Sequence, residues 1–203
     1  METALEPYVC TTDKKNIFLI GDSIRAGYCI GVQEKMAEQA NVFYVLENCR
    51  NTQYVIIQLQ AWLLRFEKPE MVDAVHFNCG HWDAAHWCGA DEPLTSLEEY
   101  RKNLKIIIWL LRKNFVNAKL FFATTTPMNP NGMAGGNPRT TEQIQQYNRV
   151  AEEVCAEAEI PVNDLFAFTK DWDSASFKDY CHFTEEANDI LSTRVADWLS
   201  QRV

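Results

Sequence analysis

The sequence lacks an excess of basic residues, and this deficit restricts its partners. Nineteen Lys and Arg stand against 28 Asp and Glu, so the 203-residue chain carries a formal net charge of −9 at pH 7. A surface of this sign repels the phosphate backbone of nucleic acids and the headgroups of anionic lipids. We therefore expect neither nucleic acid nor a membrane surface to be a partner.

Long apolar runs are also missing. The longest apolar block, Ile106 to Leu111, is flanked by Lys105 and Arg112 and is far shorter than the ~20 residues that a helix needs to cross a bilayer. The first residues, Met-Glu-Thr-Ala-Leu-Glu-Pro, have neither a basic start nor an apolar segment, so no signal peptide is recognised. The sequence predicts no membrane-spanning segment.

Paired cysteine motifs are absent as well. The seven cysteines include no Cys-x-x-Cys pair and lie mostly inside apolar segments, which is typical of reduced thiols in a reducing compartment. We therefore expect a cytoplasmic protein. His81 and His86, with Cys79 and Cys88, lack the spacing of a zinc site, so the sequence predicts no metal and no cofactor.

The chain does contain an alternation of strand and helix patterns. Its 47% hydrophobic and 12% aromatic residues suit one globular domain over residues 1–203, with a loosely packed arm at 1–14. Buried-strand patterns occupy 15–20, 41–46, 73–78, 118–124 and 160–163. Helical patterns occupy 32–40, 53–66, 97–111, 140–158 and 184–198, with a helical turn at 164–170. This alternation predicts an α/β fold with a parallel sheet and helices on both faces.

Polar turns follow the first three predicted strands. Gly21-Asp22-Ser23 follows the first strand, residues 48–52 the second, and residues 78–83 the third. The carboxyl ends of parallel strands lie at one edge of the sheet, where open α/β folds bind their ligands. We expect these turns, together with the loop before the last helix, to converge on one crevice.

Ser23, on the tight turn after the first strand, is the candidate nucleophile. A serine hydroxyl needs a neighbouring base, and His182 lies three residues after Asp179. At that spacing one turn of chain can bring the carboxylate to imidazole Nδ1 and leave Nε2 for the serine. The alternative is structural: an ordinary Gly-Asp-Ser turn and a helix-capping Asp and His pair.

These blocks, in this order, resemble the SGNH hydrolase family, also called GDSL esterases and lipases. Gly21-Asp-Ser-Ile24 resembles the first block of the family, and Asp179-Tyr-Cys-His182 resembles its last block, Asp-x-x-His. The resemblance implies a flavodoxin-like three-layer α/β/α sandwich with a five-stranded parallel sheet. It also implies Ser23 as the nucleophile, His182 as the base and Asp179 as the acid that orients the base.

The middle blocks depart from the family pattern. Arg50 stands where the second block has a glycine whose N–H enters the oxyanion hole, and Trp82 stands at the asparagine of the third block, Gly-x-Asn-Asp. Asn78-Cys-Gly-His-Trp-Asp83 looks like a variant Asn-x-Gly-x-x-Asp block. On this alignment the oxyanion donors are the N–H groups of Ser23 and Arg50 and the amide of Asn78.

The resemblance implies a small-molecule acyl ester as substrate, with an O-acetylated carbohydrate as one candidate. Candidate substrate-binding residues are Arg25, His81, Trp82 and Trp87, because indoles can stack on sugar rings or acyl chains and Arg25 follows the nucleophile turn. Buried packing is the alternative for the indoles, and an exposed position is the alternative for Arg25. Two other functions stay open: a non-catalytic acyl- or carbohydrate-binding relative, and a lysophospholipase or thioesterase. Loops 84–95 and 127–139 are expected to shape the pocket.

Overall fold

Five parallel strands form the centre of the protein in a computed structural model that describes residues 6–132 and 135–203. The strands are β1 (Lys15–Ile20), β2 (Ala40–Tyr44), β3 (Ala74–Phe77), β4 (Lys119–Ala123) and β5 (Val162–Asn163). Their order in the sheet is β2-β1-β3-β4-β5, and every neighbouring pair is parallel. The predicted five-stranded parallel sheet is confirmed.

Helices cover both faces of the sheet. They are α1 (Ser23–Lys35), α2 (Thr52–Leu63), α3 (Leu97–Asn114), α4 (Thr141–Glu157), α5 (Leu165–Thr169) and α6 (Glu185–Ser200). Along β1, Phe18 and Ile20 join the core formed with α2, α3 and α4, whereas Ile17 and Leu19 join the core formed with α1, α5 and α6. This period-2 alternation produces two apolar layers, one on each face, and confirms the three-layer α/β/α sandwich.

The first helix differs from the prediction of a helix over 32–40. It begins at Ser23 and ends at Lys35, and residues 36–39 form the turn into β2. Gly27 and Gly31 weaken the helical pattern in the sequence, but in the structure they lie against α6. A Cβ on Gly27 would come within 2.6 Å of Asn188 Oδ1, and a Cβ on Gly31 within 2.6 Å of Ser192 Oγ. The glycines therefore permit a close approach of α1 to α6.

The described part of the amino-terminal arm is packed more firmly than expected. Tyr8 is buried, donates a hydrogen bond from its hydroxyl to the carbonyl of Tyr44, and packs against the Phe66 ring in a tilted arrangement with ring centroids 4.8 Å apart. The arm therefore extends the core at the β2 side of the sheet. Residues 1–5 of the predicted arm lie outside the described residues.

Membrane insertion by a helix has no candidate in this fold. None of the helices formed by residues 6–132 and 135–203 combines the length and the apolar character needed to cross a bilayer.

Candidate active site

The turn after β1 places Ser23 at the start of α1. Asp22 is the N-cap of this helix, and its Oδ1 accepts the N–H of Ile24 at 3.0 Å. Ser23 is the first helical residue, and N–H groups of a first helical turn have no partner within the helix. The serine therefore presents a hydroxyl and a backbone donor at the same helix end, where the helix dipole favours negative charge.

His182 and Asp179 complete a hydrogen-bonded chain with this serine. His182 Nε2 lies 2.8 Å from Ser23 Oγ, and His182 Nδ1 lies 2.7 Å from Asp179 Oδ2. The three side chains come together although 159 positions separate the serine from the histidine. This is the arrangement in which an imidazole can take the proton of a serine hydroxyl while a carboxylate fixes its tautomer.

The loop around Asp179 holds its carboxylate in one orientation. Asp179 Oδ1 accepts the backbone N–H groups of Cys181 at 2.9 Å and of His182 at 2.8 Å. Partial burial acts to raise the pKa of Asp179, but these two bonds and the contact with the His182 ring outweigh it and leave the pKa below its usual value. The group is therefore a carboxylate at neutral pH, able to accept the Nδ1 proton.

The same loop has the residue types of a metal site but not the chemistry of one. Asp179, Cys181 and His182 offer ligand atoms within 4.8 Å of one another. Cys181, however, is buried, and its Sγ lies 3.4 Å from a nitrogen of the Arg139 guanidinium, whose positive charge would repel a metal ion. His182 Nδ1 is already paired with Asp179. The donor set therefore fits the hydrogen-bonded chain better than a metal ion.

A small pocket of about 110 Å³ opens beside the serine. Its lining consists of the nucleophile and base, two indoles, a phenol, a guanidinium, two amides and one methyl group: Ser23, His182, Trp82, Trp87, Tyr180, Arg139, Asn48, Asn137 and Ala85. Three larger surface depressions, two around Trp109 on α3 and one around Asp73 at the opposite edge of the sheet, contain no paired nucleophile and base among the described residues. The chemistry of the site therefore belongs to the small pocket.

The two indoles lie where the sequence suggested. Trp82 and Trp87 stack with ring centroids 4.8 Å apart and an interplanar angle of 25°. Trp82 is half-buried and Trp87 is 40% exposed, so the pair forms a rigid apolar wall that reaches the pocket mouth. Such a face can stack on a planar or cyclic group.

The oxyanion assignments need revision. Arg50 has a φ of 52°, a left-handed conformation that glycine adopts freely, in agreement with a glycine at this place in the family pattern. Its N–H, however, donates to Asn48 Oδ1 at 2.9 Å. Asn78 is buried and does not line the pocket, and its Oδ1 lies 2.0 Å from the point where Gly21 would carry a Cβ. This placement is beside the turn of Ser23 but outside the pocket lining, and the assignment of Asn78 as the amide donor stays a prediction.

Two predicted substrate-binding residues lie behind the pocket wall. Arg25 is only 1% exposed, and its guanidinium donates to the backbone carbonyls of Gly21, Val45 and Glu47. It therefore holds the turn of Ser23 against the end of β2, and the structure does not bring it to the pocket. His81 is also buried and contacts Thr126 and Arg139, and it is not among the residues that line the pocket. A direct contact of either residue with substrate stays a prediction that this placement does not support.

Other lining residues were not singled out in the sequence. Asn48, Tyr180 and Arg139 all line the pocket. Asn48 lies in the turn 48–52, which the sequence placed at the site, and Tyr180 lies inside the Asp-x-x-His block. The sequence therefore contained a signal for the position of both residues. Arg139 lies at the end of a long loop, just before the capping residue Thr140 of α4, and no motif marks it. Met133 and Ala134, inside the predicted covering loop, lie outside the described residues.

Comparison with known proteins agrees with this geometry. A model of the GDSL-like lipase/acylhydrolase family matches residues 19–190. No match was found among curated proteins.

Several solved structures share the fold. A lipase/acylhydrolase from Enterococcus faecalis is 23% identical, with a TM-score of 0.71 and coverage of 93% of this chain and 96% of that chain. An acetyl xylan esterase is 17% identical, with a TM-score of 0.72 and coverage of 93% and 100%. A GDSL-like lipase from Bacteroides thetaiotaomicron is 13% identical, with a TM-score of 0.75 and coverage of 97% and 93%.

Proposed function

The chain belongs to the GDSL-like lipase/acylhydrolase family of ester hydrolases, and we propose that it is a serine esterase that removes a small acyl group through Ser23, His182 and Asp179. The observation that carries the proposal is the continuous chain of hydrogen bonds from Ser23 Oγ through both ring nitrogens of His182 to Asp179.

The proposed reaction follows from the direction of these bonds. Ser23 Oγ attacks the ester carbonyl carbon while His182 Nε2 takes the hydroxyl proton. The imidazolium gives that proton to the leaving alcohol as the carbonyl re-forms, and an acyl group remains on Ser23. Water then attacks the acyl-enzyme with His182 as base, which releases the carboxylic acid and restores the serine. Asp179 keeps the Nδ1 proton in place throughout.

We propose that the oxyanion of the tetrahedral intermediate is received by the Ser23 N–H and the side-chain amide of Asn48. Asn48 Oδ1 is held by the Arg50 N–H, so the Nδ2 group is the part of this side chain left to donate. Asn48 lines the same pocket as Ser23, and Trp82 occupies the place of the family asparagine. One such donor contributes about 3 kcal/mol to the transition state.

Substitutions can separate the three oxyanion candidates. Asn48→Asp keeps the acceptor for Arg50 but replaces the amide donor with a negative charge, and we expect kcat to fall by about a hundredfold or more. Asn78→Ala should leave kcat within about threefold. If the Arg50 N–H is the true donor, Asn48→Ala frees this N–H from its bond to Asn48, and kcat rises or stays unchanged. An unchanged kcat in both Asn48→Asp and Asn48→Ala would remove Asn48 from the mechanism.

The pocket size favours a short acyl group. At about 110 Å³ it is far smaller than the ~300–1,000 Å³ of sites for drug-sized ligands. The described residues form no groove beside Ser23 that matches the length of a long acyl chain, which disfavours the lysophospholipase alternative. The indole wall at the mouth suits a sugar ring, and one structural neighbour is an acetyl xylan esterase. We therefore propose an O-acetylated carbohydrate as the substrate class.

We propose the cytoplasm as the location of this activity. All seven cysteines are free thiols, and five of them are buried. A reducing compartment keeps such thiols unpaired.

The decisive experiment combines a covalent probe with a series of acyl lengths. A fluorophosphonate probe should label the wild-type protein and leave Ser23→Ala unlabelled. Hydrolysis of p-nitrophenyl acetate should exceed that of the octanoate in kcat/KM by at least about tenfold. No labelling would indicate a non-catalytic binding relative, and a preference for octanoate would indicate a lipid-acting enzyme.

A further inference from the structure

Arg139 places a buried positive charge in the wall of the pocket. Its side chain is 8% exposed and lines the pocket together with Ser23 and His182. Nε donates to His81 Nδ1 at 3.2 Å, one Nη donates to the carbonyl of Asn137 at 3.2 Å, and the other donates to Cys181 Sγ at 3.4 Å. The guanidinium is therefore held in one position by three contacts.

None of these contacts supplies a negative charge. His81 accepts from Arg139 through Nδ1, and burial followed by the charge of Arg139 holds its pKa well below the usual value, so it is neutral. Burial also keeps Cys181 a thiol. Within the described residues Arg139 forms no ion pair with a carboxylate. Neither of the two nearby acids forms a hydrogen bond with Arg139: Asp179 binds His182, and Asp22, whose Oδ1 accepts the N–H of Ile24, is buried and interacts with Arg139 through space.

The composition of the pocket reinforces this imbalance. The protein has an excess of nine acidic charges, yet no Asp or Glu of residues 6–132 and 135–203 lines the pocket. A buried charge without a partner is costly. The three hydrogen bonds occupy three of the five N–H donors of the guanidinium, and the guanidinium carbon also lies 5.3 Å from the centre of the Tyr180 ring. At most two N–H donors are thus left in the pocket wall, and a ligand with its own negative group can accept them.

We propose that Arg139 binds a carboxylate carried by the ester substrate, so that the enzyme selects acyl esters with an acidic group close to the scissile bond. The proposal rests on the esterase function proposed above and narrows its substrate class. A carboxylate matches the planar fork of one guanidinium and balances its single charge. A phosphate dianion would bring a second negative charge for which the pocket wall has no cation, because His182 must stay neutral to act as base.

The carboxylate can belong to the acyl part or to the alcohol part, and matched ester pairs distinguish the two. In the acyl pair, monomethyl succinate is compared with methyl succinamate. In the alcohol pair, O-acetyl lactate is compared with O-acetyl lactamide. Each pair differs only in a carboxylate against an amide of the same shape, and each rate is divided by that of alkaline hydrolysis to remove intrinsic reactivity.

We expect wild-type enzyme to favour the carboxylate in one pair by at least about tenfold in kcat/KM, as a charge-assisted contact implies. Arg139→Gln should abolish that preference by lowering kcat/KM for the carboxylate ester at least about tenfold more than for its neutral partner, and Arg139→Lys should restore part of the preference. Arg149→Gln, which changes an exposed arginine on α4, should keep the wild-type preference.

Two results would overturn the proposal. One is the absence of any carboxylate preference in both wild-type pairs. The other is an equal loss for charged and neutral esters in folded Arg139→Gln, which would assign Arg139 to the oxyanion. If Arg139→Gln does not fold, the inhibition constants of succinate and succinamide for the wild-type enzyme are compared instead. Stronger inhibition by succinate supports the proposal, and equal inhibition contradicts it.

The esterase function can fail separately. If the wild-type protein cleaves no ester and does not react with fluorophosphonate, the affinities of succinate and succinamide, measured by calorimetry, still test the anion site at Arg139. Succinate binding without turnover would support the anion site alone, and equal or absent binding of the two compounds would refute it.

Discussion

Asp179→Asn tests the tautomer on which the catalytic geometry depends. Asp179 Oδ1 accepts two backbone N–H groups, those of Cys181 and His182, so this position must remain an oxygen in the variant. The amide nitrogen therefore takes the Oδ2 position, which lies 2.7 Å from His182 Nδ1 in the native protein. An N–H at that point makes Nδ1 an acceptor and moves the ring proton to Nε2. Nε2 then donates to Ser23 and cannot take its proton.

The expected loss is large and confined to the chemical step. The wrong tautomer in a Ser-His-Asp triad lowers kcat by about 10⁴, equivalent to about 5.5 kcal/mol in activation free energy. Because Asp179 does not line the pocket, KM should change by less than about threefold.

Initial rates with p-nitrophenyl acetate, together with the rate of fluorophosphonate labelling, measure this loss. Asp173→Asn is the matched control, since Asp173 is exposed and accepts only the N–H of Ala175, a bond that an amide oxygen can keep. It should retain wild-type kcat. A folded Asp179→Asn protein with kcat within about tenfold of wild type would refute the tautomer argument.

Three further substitutions test the surroundings of the site. Gly31→Ala should lower the free energy of unfolding in urea by about 1–3 kcal/mol, because the new Cβ would contact Ser192. A variant that is more stable than wild type would contradict the close contact between α1 and α6. Burial raises the pKa of Asp83 to about 6, so the free energy of unfolding of the wild type should fall as pH rises from about 4 to about 6. Asp83→Asn should remove about 3 kcal/mol of that fall in unfolding free energy. If unfolding free energy against pH follows parallel curves for wild type and variant, the pKa shift is contradicted. Trp87→Ala should raise KM for an acetylated sugar about fivefold but not for ethyl acetate, and equal changes would exclude stacking.

The fold and the hydrogen-bonded arrangement of Ser23, His182 and Asp179 were readable because their signals are local. A strand that ends in Gly-Asp-Ser and an aspartate three residues before a histidine each occupy one short stretch, and parallel topology brings strand ends together. The first helix was misplaced because Gly27 and Gly31 mimic helix breakers, while their function is to contact another helix.

The pocket wall was less readable because sequence position does not give side-chain direction. Arg25 lies two residues after the nucleophile, yet its side chain turns inward to backbone carbonyls. Arg139 is 116 residues from the nucleophile by numbering and lies beside it in space. Only the path of the loop before α4 decides this, and no periodicity encodes that path.

The close contact between α1 and α6 makes the site depend on how these two helices dock. Ser23 is the first residue of α1 and His182 lies just before α6, so we expect that the sheet can form while the hydroxyl and the imidazole are still apart. Turnover then reports docking of the final helix and should lag behind the burial of tryptophans elsewhere in the molecule.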